Sequence, residues 1–593
     1  MENEKIKVPL GKFIKSLLWL LRISIKKCFA LICAILLFSV ILSGIVPVIN
    51  SVLYKYYIQG IEKVIDGGDI FNSFIVVLIV QGVAYILSSI AEMFKNNADE
   101  KYTSKMGIQI RRKIYEKINT EKLSDFESES HYRNYEIALN SENDAASSVI
   151  RIFGFAGAVV GLVSVCAIFI YYSPISLAVL LLFQLPVYFI NVAESKMNWG
   201  AYVWDAKESR LFRYLMGVLT RRDTAKEMYT FGYGDYFNDK LHELNETLYS
   251  RYVKRLVKLR LKSISGKIIS HFGVIICYAI LIYQILSGGL QLADTVMLLS
   301  LALSVSGCLD TLIWNMSRIY DQAISISTLY DFVHENNEAD KPAAKTGLPS
   351  DGIYFDHVSF KYPMSDNWAV RDVTIHIKNG QRIAFVGENG AGKTTIVKLA
   401  LGLYVPNEGG VYYNGEPVSN CSVSDICSAV FQDFCIYDMS LRENISMSEN
   451  TDKARLMNVI DKSDLAGVVE KLSDGVETTL GKQFDGEDLS KGQWQKIALA
   501  RAQYADKEIV ALDEPASALD PIAEKNLIDT CMKATEDKIS LYVTHRLSTV
   551  RTMDMIYVMK QGEVIEQGAH KALMELGGLY KELYDMQMQV YTV

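Results

Sequence analysis

Apolar residues in the first half of the chain come in long unbroken stretches, and in the second half they come in short bursts. Six stretches reach or approach the ~20 residues a bilayer-spanning helix needs, at about 29–50, 71–92, 152–172, 174–193, 268–287 and 292–314. The first is too long, and too poor in a small-residue cleavage site, for a removable signal peptide. Ahead of it, Leu10, Phe13, Ile14, Leu17, Leu18 and Leu21 share one helical face while Lys12, Lys15 and Arg22 lie elsewhere. That is the pattern of an interfacial helix along a membrane surface. The long connections at 93–151 and 194–267 are charged and lack the composition of disordered linkers. They predict helices that continue from the spans well beyond the headgroups, at ~1.5 Å per residue.

Basic residues set the expected orientation. Lys5, Lys7, Lys12, Lys15, Arg22, Lys26 and Lys27 precede the first span, and both long connections are also rich in them, as in Arg111-Arg112-Lys113. The N-terminus, the two long connections and everything after the sixth span are therefore expected on the cytoplasmic side of the cell membrane.

Composition adds limits. Half of the 593 residues are hydrophobic, and the mean hydropathy is +0.13. A net charge of −7 gives no argument for a nucleic-acid partner. The nine cysteines form no CxxC pair and no zinc-spaced cluster, so neither a disulfide frame nor a structural zinc site is expected. The pattern shifts near "NNEADKPAAKTGLPSDG", which is polar and aperiodic and reads as a linker. The expected organisation is an interfacial segment at 1–28, six spans within 29–330, a linker at 331–350 and a second domain at 351–593.

In that second domain, "RIAFVG" reads as a buried strand running into "ENGAGKTTIVKLALG". Gly387, Glu388, Asn389, Gly390, Ala391, Gly392, Lys393, Thr394 and Thr395 form a phosphate loop in its strand–turn–helix setting. The glycines let backbone N–H groups wrap phosphates, Lys393 neutralises them and Thr394 can hold Mg²⁺. "EIVALDEP" is an apolar strand ending in Asp513 and Glu514. There Asp513 can face Mg²⁺ while Glu514 polarises a water. "DLSKGQWQKIALARA" places Ser490 as the N-cap of an amphipathic helix, whose free N–H groups suit an anion.

Taken together, the phosphate loop, "LSKGQ", "ALDEP", "SALD" and the lone histidine of "VTHR" resemble an ATP-binding cassette. The resemblance covers about 351–593. It implies that Tyr362 stacks on adenine, that Gln432 belongs to a loop sensing Mg²⁺, and that His545 contacts the γ-phosphate. It implies also that Asp520 makes a dimer contact, and that Ser490, Gly492 and Gln493 close over a nucleotide held by a second copy of the chain. Lys491 departs from the usual glycine of this motif. With every hydrolytic part present in one chain, a homodimer is expected.

Six spans followed by a cassette resemble the ABC exporter half-transporter: an α-helical membrane domain followed by an α/β P-loop ATP-binding cassette. Coupling helices are then expected around 122–134 and 214–236. The stretches "SDFESESHYRNYEIA" and "TRRDTAKEMYTFGYGDYF" are similar to loops of lantibiotic and related bacteriocin exporters. This implies ATP- and Mg²⁺-dependent export of a peptide or other amphipathic substrate across the bilayer. A multidrug or lipid exporter of the same architecture is the alternative. Only a short stretch precedes the first span, so removal of any leader is expected of another enzyme. Gln81, Gln184, Asn191 and Asp310 are candidate polar groups of a cavity.

Overall fold

A computed structural model describes residues 9–65, 67, 75–204, 206–335, 347–363, 365–420, 423–515, 532, 537–547 and 549–591. The chain separates into two units, one of residues 1–120 and 133–335 and the other of residues 121–132 and 336–593. Segment 121–132, which the sequence assigns to a loop of the membrane domain, thus groups with the cassette.

The described residues up to 335 are helical apart from short turns: α1 (Leu10–Val40), α2 (Val46–Ile65), α3 (Val76–Ile118), α4 (Leu123–Phe126, within segment 121–132), α5 (Glu129–Asn140), α6 (Glu142–Tyr172), α7 (Pro174–Trp204), α8 (Ala206–Thr220), α9 (Arg222–Phe231), α10 (Gly234–Leu286), α11 (Leu292–Asp321) and α12 (Ala323–His334). The amphipathic N-terminal turns and the first span together make α1, two helical stretches that meet at a kink at Cys28 (φ −133°, ψ 28°), the residue at which the expected interfacial segment ends. Five helices are long and apolar enough to cross a membrane, counting Leu10–Ile65 as one. The fourth expected span falls on α7, whose described apolar part, Pro174–Ile190, is shorter. The expected count of six therefore stands at five among the described residues.

Between α1 and α2 the backbone makes a π-helical turn, Ile41–Ile45. Pro47 follows it, and proline can neither donate to the carbonyl four residues back nor avoid its oxygen. The freed Ser43 carbonyl accepts instead from Cys308 Sγ of α11 at 3.9 Å. It also faces Gly161 of α6, where a Cβ would stand 2.2 Å from Ser43 O. A Cβ at Gly157 would stand 2.6 Å from Ser39 O. These small residues allow the close helix approach that packs membrane bundles. Polar side chains fasten other junctions. Ser24 and Tyr102 share a hydrogen bond of 2.6 Å, and Gln184 Nε2 donates to Ser270 and Ser306 at 2.7 and 2.9 Å. The long connections are helical as expected: α3 and α10 extend for 43 and 53 residues.

Among its described residues the second unit holds ten strands: β1 (Ile353–Phe360), β2 (Val370–Ile377), β3 (Arg382–Gly387), β4 (Glu408–Tyr413), β5 (Glu416–Pro417), β6 (Cys427–Val430), β7 (Ile509–Asp513), β8 (Ile539–Val543), β9 (Met555–Lys560) and β10 (Glu563–Gly568). They form a four-stranded antiparallel sheet, β2-β1-β4-β5, and a six-stranded sheet, β10-β9-β3-β8-β7-β6. In the larger sheet only β10 is antiparallel. Strands β7 and β8 are buried at every position, which is why they read as unbroken apolar runs. The helices are α13 (Lys393–Ala400), α14 (Val423–Ile426), α15 (Leu441–Ser446), α16 (Lys453–Lys462), α17 (Ala466–Val469), α18 (Lys491–Ala505), α19 (His570–Leu576) and α20 (Leu579–Tyr591). Residues 331–334, expected in the linker, are instead the end of α12. There Ile326, Leu329 and Phe332 bury against the core around Tyr102 and Ile110.

Candidate functional site

In the larger sheet, β8 lies between β3 and β7 with all three parallel, so their C-terminal ends open side by side. Each end carries one part of the expected site. Ligands of open α/β sheets gather at such carboxyl ends.

From β3 the chain turns through Gly387 (φ 149°), Gly390 (φ 78°) and Gly392 (φ 99°) before α13 starts at Lys393. A Cβ at Gly387 would stand 2.2 Å from Met559 O, and one at Gly392 2.5 Å from Ala369 O. Side chains are therefore excluded at both. Glu388 and Asn389 are exposed, whereas Ala391, Lys393 and Thr395 are buried. The Lys393 ammonium donates to the carbonyls of Gly387 and Glu388 at 2.9 and 2.8 Å, inside its own loop. Burial pushes this ammonium below its ordinary pKa, against the opposing pull of the Glu514 and Asp513 carboxylates.

At the end of β7, Asp513 is 4% exposed. Burial pushes its carboxyl up, while a hydrogen bond with the Thr394 side chain acts the other way. Thr394 and Asp513, expected from sequence as metal-side groups, are thus in contact. The next residue, Glu514, adopts a left-handed backbone (φ 48°), and its N–H donates to Val543 O of β8 at 2.9 Å. This turn aims its carboxylate at His545, whose Nε2 lies 2.5 Å from Glu514 Oε1. A loop after β8 thereby brings together two residues 31 positions apart. Gln587 of α20 fixes that loop by donating to His545 O at 2.6 Å and accepting from Leu547 N at 2.5 Å. No motif marks Gln587, which lies on an ordinary amphipathic helix, so the sequence reading missed it.

Tyr362 follows β1. Its hydroxyl lies 3.1 Å from Thr395 Oγ1 of the phosphate loop, and its ring stands edge-on to Phe360 and Tyr404. Gln432 is exposed in the turn after β6. Ser490 caps α18 as expected: its side chain accepts from Gln493 N at 3.3 Å, and Gln493 Oε1 accepts from Ser490 N at 2.8 Å. This reciprocal pair is a capping box. Lys491 at the first helical position is exposed, and Gly492 and Gln493 are half-buried. Asp520 and the side chain of Asn191 lie outside the described residues.

A phosphate loop, a buried carboxylate beside a half-buried one and a histidine meeting at parallel strand ends, with a helical membrane unit in the same chain, define a class. The chain belongs to the ABC transporters. Residues 370–517 match the family described as ABC transporter, and residues 32–309 match the ABC transporter transmembrane region. It is an ATP-binding, multi-pass membrane protein that couples ATP hydrolysis to transport.

Among particular relatives, the chain is 28% identical over 561 residues to the subtilin transport ATP-binding protein SpaT of Bacillus subtilis, covering 92% of this chain and 89% of that one. It is 27% identical over 565 residues to the nisin transport ATP-binding protein NisT of Lactococcus lactis subsp. lactis, covering 92% and 91%. An ATP-dependent lipid A-core flippase of Alkalilimnicola ehrlichii is 35% identical, but over 240 residues and 40% of each chain. The fold superposes on a bacterial Atm1-family ABC exporter with ATP bound with a TM-score of 0.75. That likeness covers 95% of this chain and 99% of the other at 19% identity.

Proposed function

We propose that the chain works as a homodimer in the cytoplasmic membrane, with its N-terminus and cassette in the cytoplasm, and exports a peptide of lantibiotic or bacteriocin type by ATP-driven alternating access. The observation that carries the hydrolytic half is the Glu514–His545 contact beside Lys393 and Asp513. In this reading Tyr362 stacks on adenine, and the N–H groups of 387–395 with Lys393 hold the phosphates. Glu514 accepts the proton of the attacking water, and His545 both orients that carboxylate and faces the γ-phosphate. Ser490, Gly492 and Gln493 cap the nucleotide of the second copy at a helix N-terminus, and Asp520 contributes to the dimer contact. Thr394, Gln432 and Asp513 are hard oxygen donors fit for Mg²⁺, as the Thr394–Asp513 contact supports. When bound, the ion would supply charge neutralisation for the transferred phosphoryl group.

The peptide cargo is supported by the two relatives matched along nearly their whole length, which are named for transport of subtilin and nisin. The flippase relative is matched over 40% of its length. Export of lipid is the second reading for that reason. The test deletes this chain in its host and measures peptides in the medium by mass spectrometry, together with self-resistance. Loss of a secreted peptide is the expected result. An unchanged peptide profile with altered lipid composition or dye efflux would replace this reading with the second.

A further inference from the structure

Segment 121–132 is closed on itself. His131 Nε2 lies 2.6 Å from Glu121 Oε2, and the Glu121 side chain is wholly buried. Lys122 N donates to Asp125 Oδ2 at 3.1 Å, which starts the single turn of α4. The same segment presents Glu127 outward, and Glu127 Oε1 accepts from the hydroxyl of Tyr404 at 2.5 Å. Tyr404 itself is 4% exposed, and burial first, then Glu127, holds its phenol above the ordinary range.

Behind that hydroxyl, the Tyr404 ring belongs to a tight aromatic group. It stands 5.4 Å from the Tyr362 ring, edge to face, and 5.2 Å from Phe360. Lys398 of α13 lies over both tyrosine rings, at 5.7 and 5.9 Å. A cleft of about 580 Å³ opens along this group, lined by Lys122, Ser124 and Asp125 on one side and by Tyr362, Tyr404 and Asn407 on the other. A ring packed edge-on to a buried neighbour cannot swing to meet a base without moving that neighbour. Here the neighbour's only side-chain polar atom is bonded to Glu127.

We propose that Tyr404 is a positioning residue that ties the ring of Tyr362 to segment 121–132 through its hydrogen bond with Glu127, so that nucleotide occupancy orders that segment. The proposal rests on the reading of Tyr362 as the base-stacking residue. It makes segment order a quantity thermodynamically linked to nucleotide binding, with the coupling located in one hydrogen bond.

The test is amide hydrogen exchange of the full-length chain in lipid nanodiscs, with and without saturating ATP, alongside steady-state KM and kcat for ATP. In the wild type, ATP is expected to slow exchange across 121–132 by about threefold or more. Tyr404→Phe and Glu127→Ala should each lose that slowing while KM for ATP stays within about threefold. The double variant should match either single one, because both remove the same bond. Glu127→Gln, which keeps a carbonyl acceptor, should retain the slowing. Slowing that persists in Tyr404→Phe overturns the proposal, and so does a more than tenfold rise in its KM, which would put Tyr404 in the nucleotide site itself. Tyr362→Ala separates the two readings. An unchanged KM there overturns base stacking at Tyr362 and with it the nucleotide end of the link.

Discussion

Strand β7 and the first half of α3 are both apolar runs, yet they meet opposite surroundings. Every residue of β7 is buried, while the apolar window of α3 has no buried residue. Val76, Leu78, Ile79, Val80, Val83, Ile86, Leu87 and Ile90 are all exposed on the protein surface. In the cassette, hydrophobicity therefore marks an interior and fixes strand position, and the polar residue that ends the run is held at a definite place. In the membrane unit it marks contact with lipid, and specificity falls to the small and polar residues that interrupt the run. Asp513 illustrates the first case, and Gly161 beside the Ser43 carbonyl the second.

If that contrast holds, single changes in the two regions should fail in different ways. Apart from loss of the base itself, the largest effect is expected at the cassette surface, where Ser490→Arg places a bulky cation at the cap of α18. It should reduce ATPase activity by about a hundredfold or more, on the scale of losing one transition-state contact, while thermal unfolding of the purified protein changes little. A drop in unfolding temperature large enough to explain the lost activity would show Ser490 to be structural only. Next comes Gly161→Leu in the membrane unit. With backbone oxygen 2.2 Å from the first added atom, overpacking should cost about 1–3 kcal/mol or more. The measurement is melting in detergent, with the site residues untouched. Unchanged melting would mean that α6 and the π-turn are not packed as described.

A smaller effect is expected at Asp506, where α18 ends in a left-handed residue (φ 53°). Its carboxyl is held below the ordinary range by a hydrogen bond to Lys538, against burial, and with help from the Lys538 charge. A carboxyl depressed in the folded state contributes stability above its unfolded pKa and loses it as pH falls through its folded value. Asp506 is largely exposed, so Asp506→Asn should cost less than about 1 kcal/mol near neutral pH. The difference from wild type should vanish in acid. A difference that grew on acidification would reverse the sign. Smallest of all, Lys491→Gly should leave hydrolysis within a few-fold, because the lysine is exposed and the capping box uses its neighbours. Loss of hydrolysis there would give Lys491 a chemical role.

The same contrast explains what could be read from residues alone. Gly387–Thr395, Asp513, Glu514 and Ser490 stand at strand or helix ends, where backbone geometry restricts the residue types, so their spacing announces their place. Tyr404 and Gln587 act through partners 277 and 40–42 positions away, and no local pattern encodes such pairs. The extension of α12 to His334 was hidden for another reason. Helix propensity and amphipathicity continue smoothly into the expected linker, and only tertiary burial decides where the helix stops.

Glu514→Gln gives the most direct test of the claim that this chain hydrolyses ATP with Glu514 as the base. Steady-state ATPase of the purified full-length protein in nanodiscs should fall by about 10²–10⁴-fold while ATP binding persists, because one general base contributes on that scale and the phosphate loop is untouched. ATPase activity close to wild type in this variant would contradict the account.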